Sequence, residues 1–189
     1  MKANIFYGIS GTFKETTIKS KLGKDDIPVW SSIKIWKELE ESLPPEYRIP
    51  GNLKFALLHL TNLQRASEEN KNLYIERGVT DMLFFESLKL GGIREGIVTS
   101  SVNKESELLA EFDVTRFLLV MKDREFIRQY ILSNKYRREV LPGDVSDYLE
   151  KQESYINFTK SINKINETIV IDNAKTYLNS LGLEFKINY

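Results

Sequence analysis

Cysteine is absent from the chain, and histidine occurs once, at position 59. Without thiols there are no disulfides and no thiolate chemistry, and a single histidine argues against a histidine-rich metal centre or a serine-type triad. Long apolar runs are missing too: none approaches the ~18 residues that span a bilayer, so no membrane partner is expected. The opening MKANIFYGISG runs into glycine and then charge, without the apolar stretch of a signal peptide. Nor is there a surplus of either charge. Lys plus Arg and Asp plus Glu number 27 each, so the chain lacks the basic excess that drives non-specific nucleic-acid binding. These absences lead us to expect a soluble cytoplasmic protein, in a host cytoplasm if the chain is virally encoded.

What is present is the composition of a folded domain, 41% hydrophobic and 29% charged over 189 residues, which suits one α/β unit over 1–189 and is short for two. Apolar runs at 4–8 (NIFYG), 72–76 (NLYIE), 116–121 (RFLLVM) and 168–172 (TIVID) have the length and continuity of parallel strands covered on both faces. Helical patterns lie between them. Residues 52–69 repeat leucine at 53, 57, 60 and 63. A second pattern is capped by Thr80, runs through Met82, Phe84, Phe85 and Leu88, and stops at Gly91-Gly92. A third covers 146–165 after Pro142-Gly143. The alternation predicts a doubly wound, mostly parallel sheet of about five strands with helices on both faces. Ligands of such sheets bind beyond the carboxyl ends of the strands, which directs attention to residues 8–17, 76–81, 122–138 and 172–175.

The first of these segments reads GISGTFKETT. A strand, a glycine-bearing turn and a helix make an anion site, because the turn presents backbone N–H groups and the helix N-terminus adds partial positive charge. Gly8, Gly11 and Lys14 stand where a phosphate loop puts them, but Phe13 takes the usual glycine slot before the lysine. Glu15 takes the usual hydroxyl slot after it, with Thr16 and Thr17 following. A Cβ at position 13 is compatible with the loop if φ stays negative and the ring points away from the phosphates. Glu15 is compatible if it binds a magnesium ion or if Thr16 supplies the hydroxyl. Further along, residues 122–138 carry Lys122, Arg124, Arg128, Lys135, Arg137 and Arg138 against Asp123 and Glu125, a concentration of basic charge that points to an anionic partner.

The chain resembles the P-loop deoxynucleoside kinases, within the group that includes thymidylate kinases. YIERGVTDMLFFESL at 74–88 is similar to that family's Glu-Arg-Ser segment. Residues 116–158 are similar to its fourth strand, arginine-bearing lid and following helix; TIVIDNAKTYLNSL at 168–181 to its last strand and the turn beside adenine; and DIPVW at 26–30 to an acidic-Pro-Val segment. The resemblance implies ATP as phosphoryl donor, Mg2+, and a deoxynucleoside or deoxynucleoside monophosphate as acceptor. It implies that Gly8, Ile9, Ser10, Gly11, Thr12, Phe13, Lys14, Glu15, Thr16 and Thr17 hold the donor phosphates. Glu15, Thr16 and Glu76 would surround the metal, and Arg77 would fix the acceptor. Asp26, with Asp25 as rival, is the candidate proton acceptor, although Ile27 separates it from the proline. In a lid over about 123–145, Arg137 and Arg138 would close on the transferring phosphate and Arg128 would approach the donor nucleotide. Asp172 and Asn173 would lie beside adenine. Trp30, His59 (or Asn62) and Asp81 are the remaining acceptor-side candidates; each has a plain structural alternative in packing or helix support.

Three readings follow. The first is a kinase acting on nucleosides or nucleotides. The second is a kinase acting on a nucleic-acid polymer, disfavoured by overall neutrality. The third is a nucleotide-binding relative that has lost turnover, for which Phe13 and Glu15 speak. A homodimer is kept as an expectation for the oligomeric state.

Overall fold

The computed structural model describes residues 1–31, 41–42, 54–90, 95–133 and 143–184. In chain order its elements are β1 (Lys2–Tyr7), α1 (Lys14–Lys21), β2 (Ile27–Val29), α2 (Lys54–Ser67), β3 (Leu73–Glu76), α3 (Val79–Leu90), α4 (Glu95–Leu108), β4 (Asp113–Met121), α5 (Arg124–Ser133), α6 (Val145–Ile162), β5 (Glu167–Ile171) and α7 (Ala174–Ser180). The five strands form one parallel sheet in the order β2-β3-β1-β4-β5. Helices cover both of its faces, so the doubly wound arrangement expected from the sequence is the one observed.

β1 is the central strand. It pairs with β3 through Ile5 and Ile75 and with β4 through Phe6 and Phe117, and Ile5, Phe6 and Tyr7 are fully buried. A short run with apolar residues on both faces is what a parallel strand under two helical layers requires. β2, by contrast, was not legible as a strand. It has three residues, and Pro28, opposite Tyr74, donates no hydrogen bond to the ladder. Proline is tolerated there because the strand lies at the edge of the sheet. α4 also escaped the apolar periodicity; its one buried residue is Glu105.

That glutamate corrects a detail of the sequence reading. α3 starts at Val79, so Thr80 lies inside the helix instead of capping it. The cap comes from α4, where Glu105 Oε1 accepts the Val79 N–H at 2.7 Å, supplying a carboxylate to the positive end of the helix. Just before it, Gly78 occupies the serine slot of the Glu-Arg-Ser-like segment. A Cβ at this glycine would lie 2.7 Å from Tyr7 Oη and 2.8 Å from its ring. The buried tyrosine therefore explains why no side chain stands there.

The apolar interior has two parts. One surrounds the sheet and draws on Ile5, Ile18, Leu63, Leu118 and Ile127; the other joins α2 to α3 through Ala56, Leu58, Leu60, Val79, Met82 and Leu83. Since Tyr7 is fully buried and cannot swing aside, overpacking at position 78 should cost about 1–3 kcal/mol. Urea denaturation of Gly78→Ala should show a lower midpoint at unchanged m-value, and an unchanged midpoint would mean that the tyrosine yields.

Candidate active site

The loop between β1 and α1 closes on its own lysine. Lys14 Nζ donates to the carbonyls of Gly8 (2.6 Å) and Ile9 (2.8 Å) and reaches Thr12 Oγ1 at 3.4 Å, while Thr12 Oγ1 donates to Ile9 O at 2.9 Å. Lys14 is 4% exposed. A trans peptide directs its N–H opposite to its C=O, so carbonyls drawn to the lysine turn the following N–H groups the other way. Glycine is required at position 8, where φ is 151° and a Cβ would meet Thr12 Oγ1 at 2.5 Å and the Leu119 carbonyl at 3.0 Å.

Phe13 adopts the left-handed region, φ 57° and ψ 26°, which overturns the expectation of negative φ at this residue. A bulky side chain is uncommon there and carries strain. The compensation is aromatic packing: its ring lies 4.8 Å from that of Phe126 on α5 and 6.2 Å from that of Tyr177 on α7. The ring is thereby turned toward these two helices. Phe13 is also the N-cap of α1 and contributes no side-chain acceptor, leaving the N–H groups of the first turn uncapped by this residue.

A cavity of about 470 Å³ opens over this loop. Ser10, Gly11, Thr12, Phe13, Lys14, Glu15 and Thr16 form its floor, and Glu76 and Arg77 enter from the end of β3. Ser31, Phe126 and Tyr130, none of them predicted, complete its described wall. Ser31 fixes Glu76, whose Oε2 accepts from Ser31 N at 3.2 Å and Ser31 Oγ at 3.0 Å. Arg77 has a left-handed backbone, φ 67°. Its guanidinium lies 5.3 Å from the Phe85 ring centre, and its buried Nε has no hydrogen-bond partner. Glu15 faces outward to Lys19 at 2.5 Å, both side chains being more than half exposed.

Other predicted residues are not among those lining the cavity. Asp26 precedes β2 and stands at the amino edge of the sheet, where its carboxylate accepts from Gly23 N (2.8 Å) and Asn72 Nδ2 (3.1 Å). It serves a turn there, away from the carboxyl ends of the strands. His59 is fully buried, 3.5 Å from Glu105 Oε1, with no hydrogen bond at either ring nitrogen. Arg128 pairs with Glu125 at 2.7 Å on the exposed face of α5. Thr17 Oγ1 is taken by Phe13 O and Tyr177 Oη, both at 2.8 Å. The Trp30 carbonyl accepts from Asn62 Nδ2 at 3.3 Å, and Lys19 Nζ lies 5.8 Å from the Trp30 ring centre. Asn173 caps α7 through Thr176 N at 2.8 Å, and Asp172 is exposed. Lys135, Arg137 and Arg138 lie outside the described residues.

Behind the cavity Asp81 is fully buried, and its Oδ1 accepts a short hydrogen bond from Tyr155 Oη. Burial pushes its carboxyl up to about 6, opposed by the charges of Arg77 and Lys14 and by the Tyr155 hydrogen bond. The tyrosine hydroxyl is itself raised well above its ordinary value, first by burial and then by Asp81.

No family model and no curated protein matches the chain. Solved structures do. A deoxyadenosine kinase from M. mycoides with bound dCTP aligns at TM-score 0.52 and 18% identity, over 96% of this chain and 99% of that one. The same kinase with bound dATP aligns at 0.52 and 17%, over 96% and 100%. At this identity the likeness establishes the fold, a P-loop kinase-like one.

Asp81 also gives a stability test. Its folded value lies above the ordinary 3.8, so the folded state favours the proton. The stability this confers is present below pH 4 and is lost as pH rises through about 6. Relative to Asp81→Asn, wild-type stability should fall by about 2 kcal/mol between pH 4 and pH 7. Urea titrations across that range measure the difference, and parallel curves would refute the shift.

Proposed function

We propose that the chain is an ATP-dependent phosphotransferase whose acceptor is a deoxynucleoside or deoxynucleoside monophosphate. The observation that supports this most is one open cavity on which the first turn of α1, Lys14, Glu76 and Arg77 converge at the carboxyl ends of the strands. Phosphoryl transfer needs little covalent help from a protein; positioning and neutralisation of charge supply most of the acceleration.

In this reading the donor phosphates lie on the loop, against the first-turn N–H groups and Lys14. The donor base rests on Phe126 and Tyr130, since stacking suits an aromatic wall. Arg77 receives the hydroxyl or phosphate end of the acceptor; its Nε lies 4.0 Å from Glu76 Oε1 without a hydrogen bond, and its guanidinium supplies the planar fork of donors such a group needs. Arg137 and Arg138 are assigned to the transferring phosphate. With Asp26 assigned to its turn, Glu76 is the carboxylate proposed beside the acceptor.

The oxygen donors at the cavity suit magnesium. Glu76, Thr16 and Glu15 line the cavity and would hold the ion, and no cluster of three or more histidine or acidic ligands exists among the described residues. Magnesium is commonly held by one or two carboxylates together with substrate phosphates. When bound it would offset the charge of the phosphates; orientation and exclusion of water fall to the chain's own groups.

A second reading keeps binding and gives up turnover. It draws on Phe13 in a left-handed glycine slot and on Glu15 in the hydroxyl slot. Incubation with radiolabelled ATP, magnesium and a mixture of nucleosides and deoxynucleoside monophosphates separates the two. We expect labelled product, reduced at least about 100-fold by Lys14→Ala; binding of ATP with no product from any acceptor would favour the second reading, and neither binding nor product would sink both. Glu15→Ser should preserve or raise the rate in the same assay. Its inactivation would mean that the glutamate holds the metal in a way a serine hydroxyl does not replace.

A further inference from the structure

α6 turns a polar stripe inward. Its buried residues are Tyr148, Gln152, Tyr155 and Thr159, spaced by four, three and four positions and therefore on one helical face. Such a face ordinarily carries apolar side chains; here three of the four, Tyr148, Gln152 and Tyr155, hydrogen-bond to backbone atoms at the end of the sheet. Gln152 joins Met121, accepting from its N–H at 2.8 Å and donating to its carbonyl at 2.9 Å. Tyr148 and Tyr155 reach the loop after β1. Tyr155 Oη accepts the Gly8 N–H at 2.9 Å and donates its own proton to Asp81. Tyr148 Oη donates to the Ser10 carbonyl at 2.8 Å.

Together with Lys14, these bonds account for several peptide groups of the loop. The Gly8 N–H is spent on Tyr155, and the Gly8 and Ile9 carbonyls on the lysine. The Ser10 carbonyl is drawn to α6, so the Gly11 N–H points to the opposite side of its peptide plane. A loop that is to bind an anion has to keep carbonyl oxygens away from it, because one flipped peptide replaces a donor with a partial negative charge. Glycines at 8 and 11 make such flips easy. The tyrosines oppose them.

We infer that Tyr155, seated on Asp81, is a positioning residue for the phosphate loop, and that Tyr148 assists it by anchoring the Ser10 carbonyl. The inference rests on the nucleotide reading of the preceding section, and it assigns α6 a role in anion affinity that is separate from its role in stability. Asp81 orients the tyrosine proton, which leaves the hydroxyl oxygen directed at Gly8. Gln152, on the same stripe, touches β4 and not the loop, and supplies a purely structural control.

The test measures binding of magnesium tripolyphosphate by calorimetry, well below the thermal midpoint, alongside amide exchange at Gly8 by NMR. Tripolyphosphate probes the loop without a base or an acceptor. In Tyr155→Phe the Gly8 amide should exchange faster and affinity should fall at least about ten-fold, the factor expected for one lost buried hydrogen bond. Gln152→Met should lower the thermal midpoint yet leave the affinity unchanged. Equal affinity in a folded Tyr155→Phe, or equal losses in Tyr155→Phe and Gln152→Met, overturns the inference. If Tyr155→Phe does not fold, Tyr148→Phe carries the test: a loss of affinity supports it and no loss overturns it. A wild-type protein that protects Gly8 but binds no tripolyphosphate fails the nucleotide reading, and the inference falls with it.

Discussion

The ammonium of Lys14 lies buried against the carbonyls of Gly8 and Ile9, and the form of the loop follows from this contact. A cation taken out of water needs oxygen acceptors around it, and the nearest belong to the turn that precedes it. Carbonyls committed to the lysine turn the adjoining N–H groups away, and the charge that imposes this arrangement is also the charge an incoming phosphate would seek. Its field extends past the loop, since Lys14 is among the groups that hold the Asp81 carboxyl below the value its burial alone would set. Loop, lysine and buried aspartate form one electrostatic unit.

Three helices keep this unit in shape by two different means. On one side, Phe13 accepts a strained backbone and recovers the cost through contact with Phe126 and Tyr177. On the other, α6 supplies the hydroxyl groups of Tyr148 and Tyr155. In a loop built from glycine alone, shape would rest on backbone hydrogen bonds and on the ligand. Here aromatic surface and phenolic hydroxyls perform part of that work, which makes the departure at Phe13 intelligible: a side chain packed against Phe126 and Tyr177 stiffens the turn while forming part of the cavity lining. Gly78 is the converse case, a position where a side chain is excluded because Tyr7 already fills the space.

How much of this could be read from the sequence depended on the kind of signal. The buried strands announced themselves as apolar runs, with boundaries close to those observed: 72–76 was expected for Leu73–Glu76 and 168–172 for Glu167–Ile171. β2 did not, because three residues including a proline have no periodicity. The floor of the cavity was legible from spacing, since a glycine turn between strand and helix is local. The wall was not. Asp26 was suggested by the resemblance of its segment although Ile27 separates it from Pro28, and a local resemblance does not reveal at which end of a parallel strand a residue falls. Arg128 looked free to reach a phosphate until Glu125, one turn earlier on the same helix, took its charge. Tyr148, Gln152 and Tyr155 were overlooked because inward polar residues read as a solvated face. Their spacing of four and three was visible; their partners, backbone atoms more than thirty positions away, were not.

Glu15 brings these threads together. A carboxylate beside a polyanion is unfavourable unless something cancels it, and Lys19, one turn along α1, does so in this structure. An exposed pair of this kind contributes only about 0.3–0.5 kcal/mol, too little to hold the carboxylate against a divalent cation. In the proposed reading a bound cation would therefore draw Glu15 from Lys19 and release the lysine to the surface. An ordinary hydroxyl in that slot has no such choice. In the proposed reading the glutamate would tie occupancy of the loop by phosphate to occupancy by metal, because an anion arriving without its cation would meet a negative charge that Lys19 cancels only in part.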